Sequence, residues 1–274
     1  EIWLVYRRDL ILWATNRTGW KKWAHKLISL FSSDLSERAM QFDRKATKFV
    51  TIIGIPSAFL LHGYVGFIFG SVKANPWWSS VLMPIVFLFS AIVSGIAMVL
   101  LIYMIVTPLR SQTVDMACLD TLASYLFYAM IVAFSLESLD FVHRIYQSEE
   151  SIKILTQLVS GKLFISLIVV QLLMGMLIPL GAIAAVKLLK PPAELRKLTF
   201  FVAALLVQVG IFSTRWNVVM GGQLFSKSFS GLTAYKLTFL GLEGLLVCIG
   251  LLLLPVLILA ILFHILPPWE EAKP

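Results

Sequence analysis

The chain has 274 residues, of which 59% are hydrophobic and 14% charged, with a mean hydropathy of +0.87. A soluble domain carries roughly a quarter charged residues, so this composition excludes one and points to an integral membrane protein. The excess of 23 Lys and Arg over 15 Asp and Glu gives a net charge of +8. Those cations concentrate in alternate loops, so they report membrane orientation rather than nucleic-acid binding.

Residues 1–15 (EIWLVYRRDLILWAT) are apolar but short, and read as the end of a truncated transmembrane helix. Residues 16–47 carry Arg17, Lys21, Lys22, Lys26, Arg38, Arg44 and Lys45 interleaved with Trp20 and Trp23, which suits a segment on the cytoplasmic lipid surface. Six apolar segments follow, at approximately 48–71, 80–107, 116–145, 160–187, 197–214 and 236–266. They are continuous, rich in Leu, Ile, Val and Phe, and lack two-residue alternation, so they read as helices rather than barrel strands. The expected fold class is an all-α integral membrane protein: a six-helix bundle over 48–266, with a cytoplasmic tail at 267–274. If the basic segment is cytoplasmic, Asn75-Pro-Trp-Trp78 becomes an outer hairpin with both Trp at headgroup depth.

In the first span Gly54, Ala58, His62, Gly66 and Gly70 recur every four residues, along one stripe that is flat except for the imidazole. Small-xxx-small stripes let helices approach closely in lipid. The second span offers Ser90 and Ser94 on one row and Ala91 and Gly95 on the next. The two spans are therefore expected to form a tight hairpin holding His62 against a neighbouring helix.

Charges within spans are costly, so each is a functional candidate until a partner is found. Glu137, Asp140 and Arg144 share one face of the third span, where Asp140 and Arg144 can form a structural ion pair and Glu137 has no obvious partner. Gln171 and Gln208 read as interhelical hydrogen-bond glue, and Asp115 and Asp120 as solvated residues at a helix start. His62, Glu137, Asp140, Arg144, Arg215 and Glu243 all fall in the outer half, which points to chemistry or contact at that face. One bis-His haem on His62 and His143 is an alternative, disfavoured by the flat stripe around His62. Cys118 and Cys248 stand alone in apolar surroundings, so no metal site is expected from this chain.

The stretches Gly54-Ile-Pro-Ser-Ala, His62-Gly-Tyr-Val-Gly-Phe-Ile-Phe-Gly70, Met83-Pro-Ile-Val-Phe-Leu-Phe-Ser-Ala-Ile-Val-Ser-Gly-Ile-Ala97 and Arg215-Trp-Asn-Val-Val-Met-Gly-Gly-Gln223 resemble the polysulphide-reductase, NrfD-like family of quinone-interacting membrane subunits. Within it the likeness is to the DsrP and HmeB branch of ten-span proteins that serve dissimilatory sulphite reduction. Against those the chain looks like a C-terminal portion, without the earlier helical bundle that holds much of the family's quinone pocket. The resemblance implies a subunit with no bound metal or covalent cofactor, not catalytic alone, that exchanges electrons between menaquinol or another quinone and an outer ferredoxin-like iron–sulphur subunit. It further implies b-type and multihaem c-type cytochromes in the same complex, the inner membrane of a prokaryote, and sulphite- or sulphate-reduction energy metabolism.

Quinone chemistry needs a proton partner near each carbonyl and an apolar slot for the ring. His62 and Glu137 are the candidate proton partners, and His62, Tyr64, Ser94 and Arg215 the candidate quinone surroundings. Two other functions compete: a proton or ion transporter with a polar path through Asp120, Glu137 and Glu243, and a structural anchor without its own quinone site.

Overall fold

The computed structural model describes residues 2–16, 19–30, 32–147, 152–225, 231–233, 239, 241 and 244–266. They form helices α1 (Ile2–Asn16), α2 (Trp20–Ile28), α3 (Glu37–Gly70), α4 (Met83–Leu109), α5 (Met116–Gln147), α6 (Ile152–Gln157), α7 (Ile178–Leu189), α8 (Ala193–Gln223) and α9 (Leu245–Ile265). Among the described residues six helices are long and apolar enough to cross a membrane: α3, α4, α5, a fourth span at Phe164–Leu189 that ends in α7, α8 and α9. No strand forms among the described residues, so the chain is an all-α multi-pass membrane protein.

Three boundaries differ from the sequence reading. Helix α3 begins at Glu37 because Ser36 caps it, its Oγ accepting from the Ala39 N–H at 3.3 Å. Helix α8 continues to Gln223, which places Arg215-Trp-Asn and Gly-Gly-Gln on the helix. The sixth span starts at Leu245; Glu243 and the tail 267–274 lie outside the described residues.

The chain forms two compact units, residues 1–58 with 235–274, and residues 59–234. In the first, Leu10, Trp13 and Leu266 are buried together, and the buried His25 of α2 sets its Nε2 2.9 Å from the Ile265 carbonyl oxygen. Arg7 pairs with Asp43 at 2.8 Å and donates to the Ser32 hydroxyl at 3.0 Å. Helix α2 leaves Trp20, Trp23 and Leu27 exposed.

The second unit is built on α4, α5, the fourth span and α8. Val93, Ala97 and Leu100 of α4 meet Leu119, Ala123, Leu126 and Met130 of α5, Ile183 of α7, and Phe200, Ala203, Ala204 and Val207 of α8. The alanines let these helices close up, as packing between helices in lipid requires. The closest backbone-to-backbone approach is Gly175 against Gly210, where a Cβ on either residue would land on the other's Cα. Around that contact the fourth span runs in wide π turns from Phe164 to Leu177, and α7 takes over where Pro179 has no N–H to give.

The expected hairpin of the first two spans is tight only at Gly66 and Gly70, which lie against Met83–Pro84 and the Ser80 carbonyl. The serine row of α4 faces α8 instead. Ser94 Oγ donates to Gln208 Oε1 at 3.0 Å, Gln208 returns a bond to the Ser94 carbonyl at 2.7 Å, and Ser90 Oγ accepts from Arg215 at 2.7 Å. With α4 committed to α5 and α8, His62 and Tyr64 are left exposed on α3.

The loop between α3 and α4 is held inward. Trp77 is buried, and its indole N–H donates to the Asn217 carbonyl at 2.9 Å. Trp78 does the same to the Val218 carbonyl at 2.6 Å, and Asn75 to the Gly222 carbonyl at 2.9 Å. A Cβ on Gly221 or Gly222 would collide with the two indoles. The tryptophans are thus docked on the end of α8 rather than standing as interfacial anchors, because two adjacent glycines leave room for their rings.

From α5, Arg144 closes the loop. Its Nε and Nη2 donate to Asp140 Oδ2 at 2.8 and 2.6 Å, and its Nη1 donates to the Trp77 carbonyl. Asp140 also accepts from the Ser80 hydroxyl. The guanidinium lies 5.3 Å over the Trp77 ring, and both charged residues are 5% exposed.

Replacing Gly210 with Ala drives a methyl into the Gly175 backbone, and overpacking of this kind costs about 1–3 kcal/mol. A lower midpoint of thermal unfolding in detergent is expected; an unchanged midpoint would refute the close approach. Asp140→Asn leaves the Arg144 cation buried without its counter-charge, a loss of about 3–5 kcal/mol. Yield and unfolding midpoint should fall together, and a fully stable variant would refute the clamp.

Candidate functional site

Beneath the Trp77 loop lies a cavity of 330 Å³ between α4, α5, the fourth span and α8. Its walls are largely apolar, with Met83, Val86, Phe134, Phe141, Leu167 and Leu172 among them. Glu137, Gln171, Thr214 and Asn217 also line it. Glu137 stands one turn before Asp140 on α5, so the helix spacing that makes the ion pair also turns Glu137 toward the same end of the bundle.

These side chains form a relay. Gln171 Nε2 donates to Glu137 Oε2 at 3.1 Å, and Asn217 Nδ2 donates to Gln171 Oε1 at 2.8 Å. Asn217 is the joint between cavity and roof, since its main-chain carbonyl accepts from the Trp77 indole. Below it Ser213 Oγ donates to the Ser166 carbonyl at 2.7 Å, tying α8 to the wide turns of the fourth span. The relay depends on the Gly175–Gly210 contact, which brings the backbones carrying Gln171 and Asn217 close enough for two short amides to meet.

Two acceptor atoms of the cavity residues, Glu137 Oε1 and Asn217 Oδ1, are closed off from solvent and carry no hydrogen bond. A buried acceptor without a donor costs about 1–3 kcal/mol, which a ligand bringing hydroxyl or amine protons would offset. The chemistry on offer is proton acceptance by a carboxylate at the edge of an apolar slot. Among the described residues, no three His, Cys, Asp or Glu side chains gather as metal ligands.

Of the residues singled out in the sequence, Glu137, Asp140 and Arg144 come together at this cavity. His62, Tyr64, Ser94 and Arg215 are not among its lining residues. His62 and Tyr64 are on the exposed surface of α3, and Ser94 is engaged with Gln208. Arg215 lies in the seam between α4 and α8, its guanidinium 3.9 Å over the Phe87 ring and its Nη2 donating to the Phe87 carbonyl at 3.2 Å. Asp120, an element of the competing polar path, is paired with Arg196 at 2.5 Å.

Gln171 and Gln208 are the interhelical hydrogen-bond glue the sequence suggested, while sequence reasoning missed the part Asn217 and Trp77 play at the cavity. A signal was present for Asn217, which stands two residues after Arg215 in the Arg-Trp-Asn element. Nothing local marked Trp77, because a Trp pair in a short polar loop reads equally well as a membrane-surface anchor.

Over 108 residues the chain is 36% identical to a selenate reductase subunit of Mesobacillus selenatarsenatis, a stretch covering 38% of this chain and 25% of that protein. The match thus spans about a quarter of the relative's length. Residues 2–227, which include every residue lining the cavity, match the family described as polysulphide reductase, NrfD. The chain belongs to the polysulphide reductase, NrfD family.

Proposed function

We propose that the chain is the quinone-facing membrane subunit of a reductase complex, with quinol binding beneath the Trp77 loop and Glu137 taking one of its protons. The observation that carries this reading is a carboxylate oxygen, closed off from solvent and without a hydrogen-bond donor, at a largely apolar cavity. The cavity's 330 Å³ falls within the range of about 300–1,000 Å³ common for ligand pockets. A flat aromatic head bearing two hydroxyl groups matches both the slot and the two vacant acceptors.

Oxidation of a quinol to the quinone releases two electrons and two protons. Glu137 accepts one proton from the hydroxyl set against it, and the other hydroxyl releases its proton to water. Gln171 holds Glu137 in place through its amide and is held in turn by Asn217, so the carboxylate does not have to reorganise as charge moves. The electrons leave to an iron–sulphur partner docked at the Trp77 end.

In the finer form of the proposal the donor is menaquinol, the partner is ferredoxin-like, and b-type and multihaem c-type cytochromes complete the complex in the inner membrane of a prokaryote. The chain then falls in the DsrP and HmeB branch and serves sulphur-oxyanion respiration. The relative's name, that of a selenate reductase subunit, supports the coarser part of this: a membrane subunit of a reductase.

Glu137→Gln keeps the side chain's shape and its bond to Gln171 while removing the proton acceptor. Quinol oxidation by the assembled complex should fall by about 10²-fold or more, with complex yield unchanged; full turnover would rule out the relay. Orientation is testable by labelling. With the exposed Cys118 and Cys248 replaced by Ser, a Lys73→Cys variant should react with an impermeant maleimide from the outer face of sealed vesicles, and labelling from the cytoplasmic face alone would reverse the topology.

A further inference from the structure

The second unit has another polar cavity, about 30 Å along α5 from the first, given the 20 residues between Asp120 and Asp140 at 1.5 Å rise each. It measures 370 Å³, and Asp120, Ser124, Lys187, Lys190 and Arg196 line it together with apolar side chains. Three cations therefore face one carboxylate.

Their hydrogen bonds leave that imbalance in place. Lys187, within the fourth membrane span, donates from Nζ to the Ser124 hydroxyl at 2.9 Å and lies over the rings of Tyr128 and Phe127 at 4.8 and 5.2 Å. All of these partners are neutral. Arg196 gives Nη1 to Asp120 at 2.5 Å, but its Nε is closed off from solvent and has no acceptor. Lys190 caps α7 in the left-handed region, φ 45° and ψ 57°, which turns the chain back and leaves the side chain exposed at the cavity. A charge at a membrane span calls for a counter-charge, and Asp120 answers only one of the three.

We propose that this cavity binds the phosphodiester headgroup of an anionic phospholipid. Phosphate oxygens supply the anionic partner that Lys187 and Lys190 lack and an acceptor for the unfilled Arg196 Nε, and basic pockets between membrane helices hold such headgroups. The surroundings favour a lipid over free phosphate. Leu188 and Leu189, between the two lysines, are 82% and 78% exposed, and Tyr128 on α5 is 60% exposed. An anion that carries acyl chains covers this apolar surface while its headgroup neutralises the cations. The site is independent of the quinol cavity.

The test is a titration of dioleoyl phosphatidylglycerol into the full-length chain, purified in a neutral maltoside detergent, with the unfolding midpoint as readout. A saturable rise in midpoint is expected with phosphatidylglycerol, and none with phosphatidylcholine or inorganic phosphate. Lys190→Asn should weaken the apparent affinity about fivefold, from roughly 1 kcal/mol per basic residue. Asn tolerates the left-handed conformation, so this variant should fold. Lys187→Gln, which can keep a bond to Ser124, should weaken it similarly, and Lys73→Gln, at the other end of the unit, should have no effect. Equal stabilisation by phosphatidylcholine, a full response to inorganic phosphate, or equal loss in Lys73→Gln would each overturn the lipid site.

Discussion

A guanidinium buried in a membrane protein has to fill its donors with protein atoms, since no water is at hand to do so. Arg144 fills them with the Asp140 carboxylate one turn back and with the Trp77 carbonyl across the loop. The first bond makes the charge tolerable and the second uses it to fix a distant segment. Trp77, once held, covers the cavity and bonds to Asn217, while Ser80 is tied to the same carboxylate. A buried ion pair is weak support for stability against an apolar alternative, but it is costly to break. Here its structural consequence is position: a polar loop between two apolar helices is locked as a roof.

The floor is set by an opposite device, the removal of side chains. Gly175 and Gly210 bring the fourth span and α8 into backbone contact, and small residues of this sort drive helix association in lipid through close packing. Gln171 and Asn217 project near that contact and meet at 2.8 Å. A larger residue at either glycine would hold the helices apart and break the relay to Glu137. The wide turns of the fourth span belong to the same arrangement, as such turns often accompany functional sites.

The two ends of the second unit treat polarity differently. At the Trp77 end Asp140 and Arg144 match each other, and acceptor capacity is unfilled on Glu137 and Asn217. At the Lys187 end the charges are unmatched in favour of cations. A ligand bringing protons suits the first and a ligand bringing negative charge suits the second, so the two cavities of one bundle select opposite chemistries.

The sequence by itself determined the all-α membrane class, the six spans, and the Glu137, Asp140 and Arg144 face of α5. Those features rest on local quantities, the length of an apolar run and the three- and four-residue spacing along one helix, which survive without knowledge of neighbours. The tertiary structure decided which helices meet. Ser90 and Ser94 turn to α8 and not to α3, His62 stays exposed, Trp77 goes inward, and Gln171 finds Asn217 across 46 residues of chain. A stripe of glycines states that close contact is possible but not with whom, and in this fold Gly175 and Gly210 complete such a contact while a Cβ on Gly54 would meet nothing within 4 Å among the described residues. That choice depends on the fit of whole helix surfaces far apart in the chain, and no window of residues contains it.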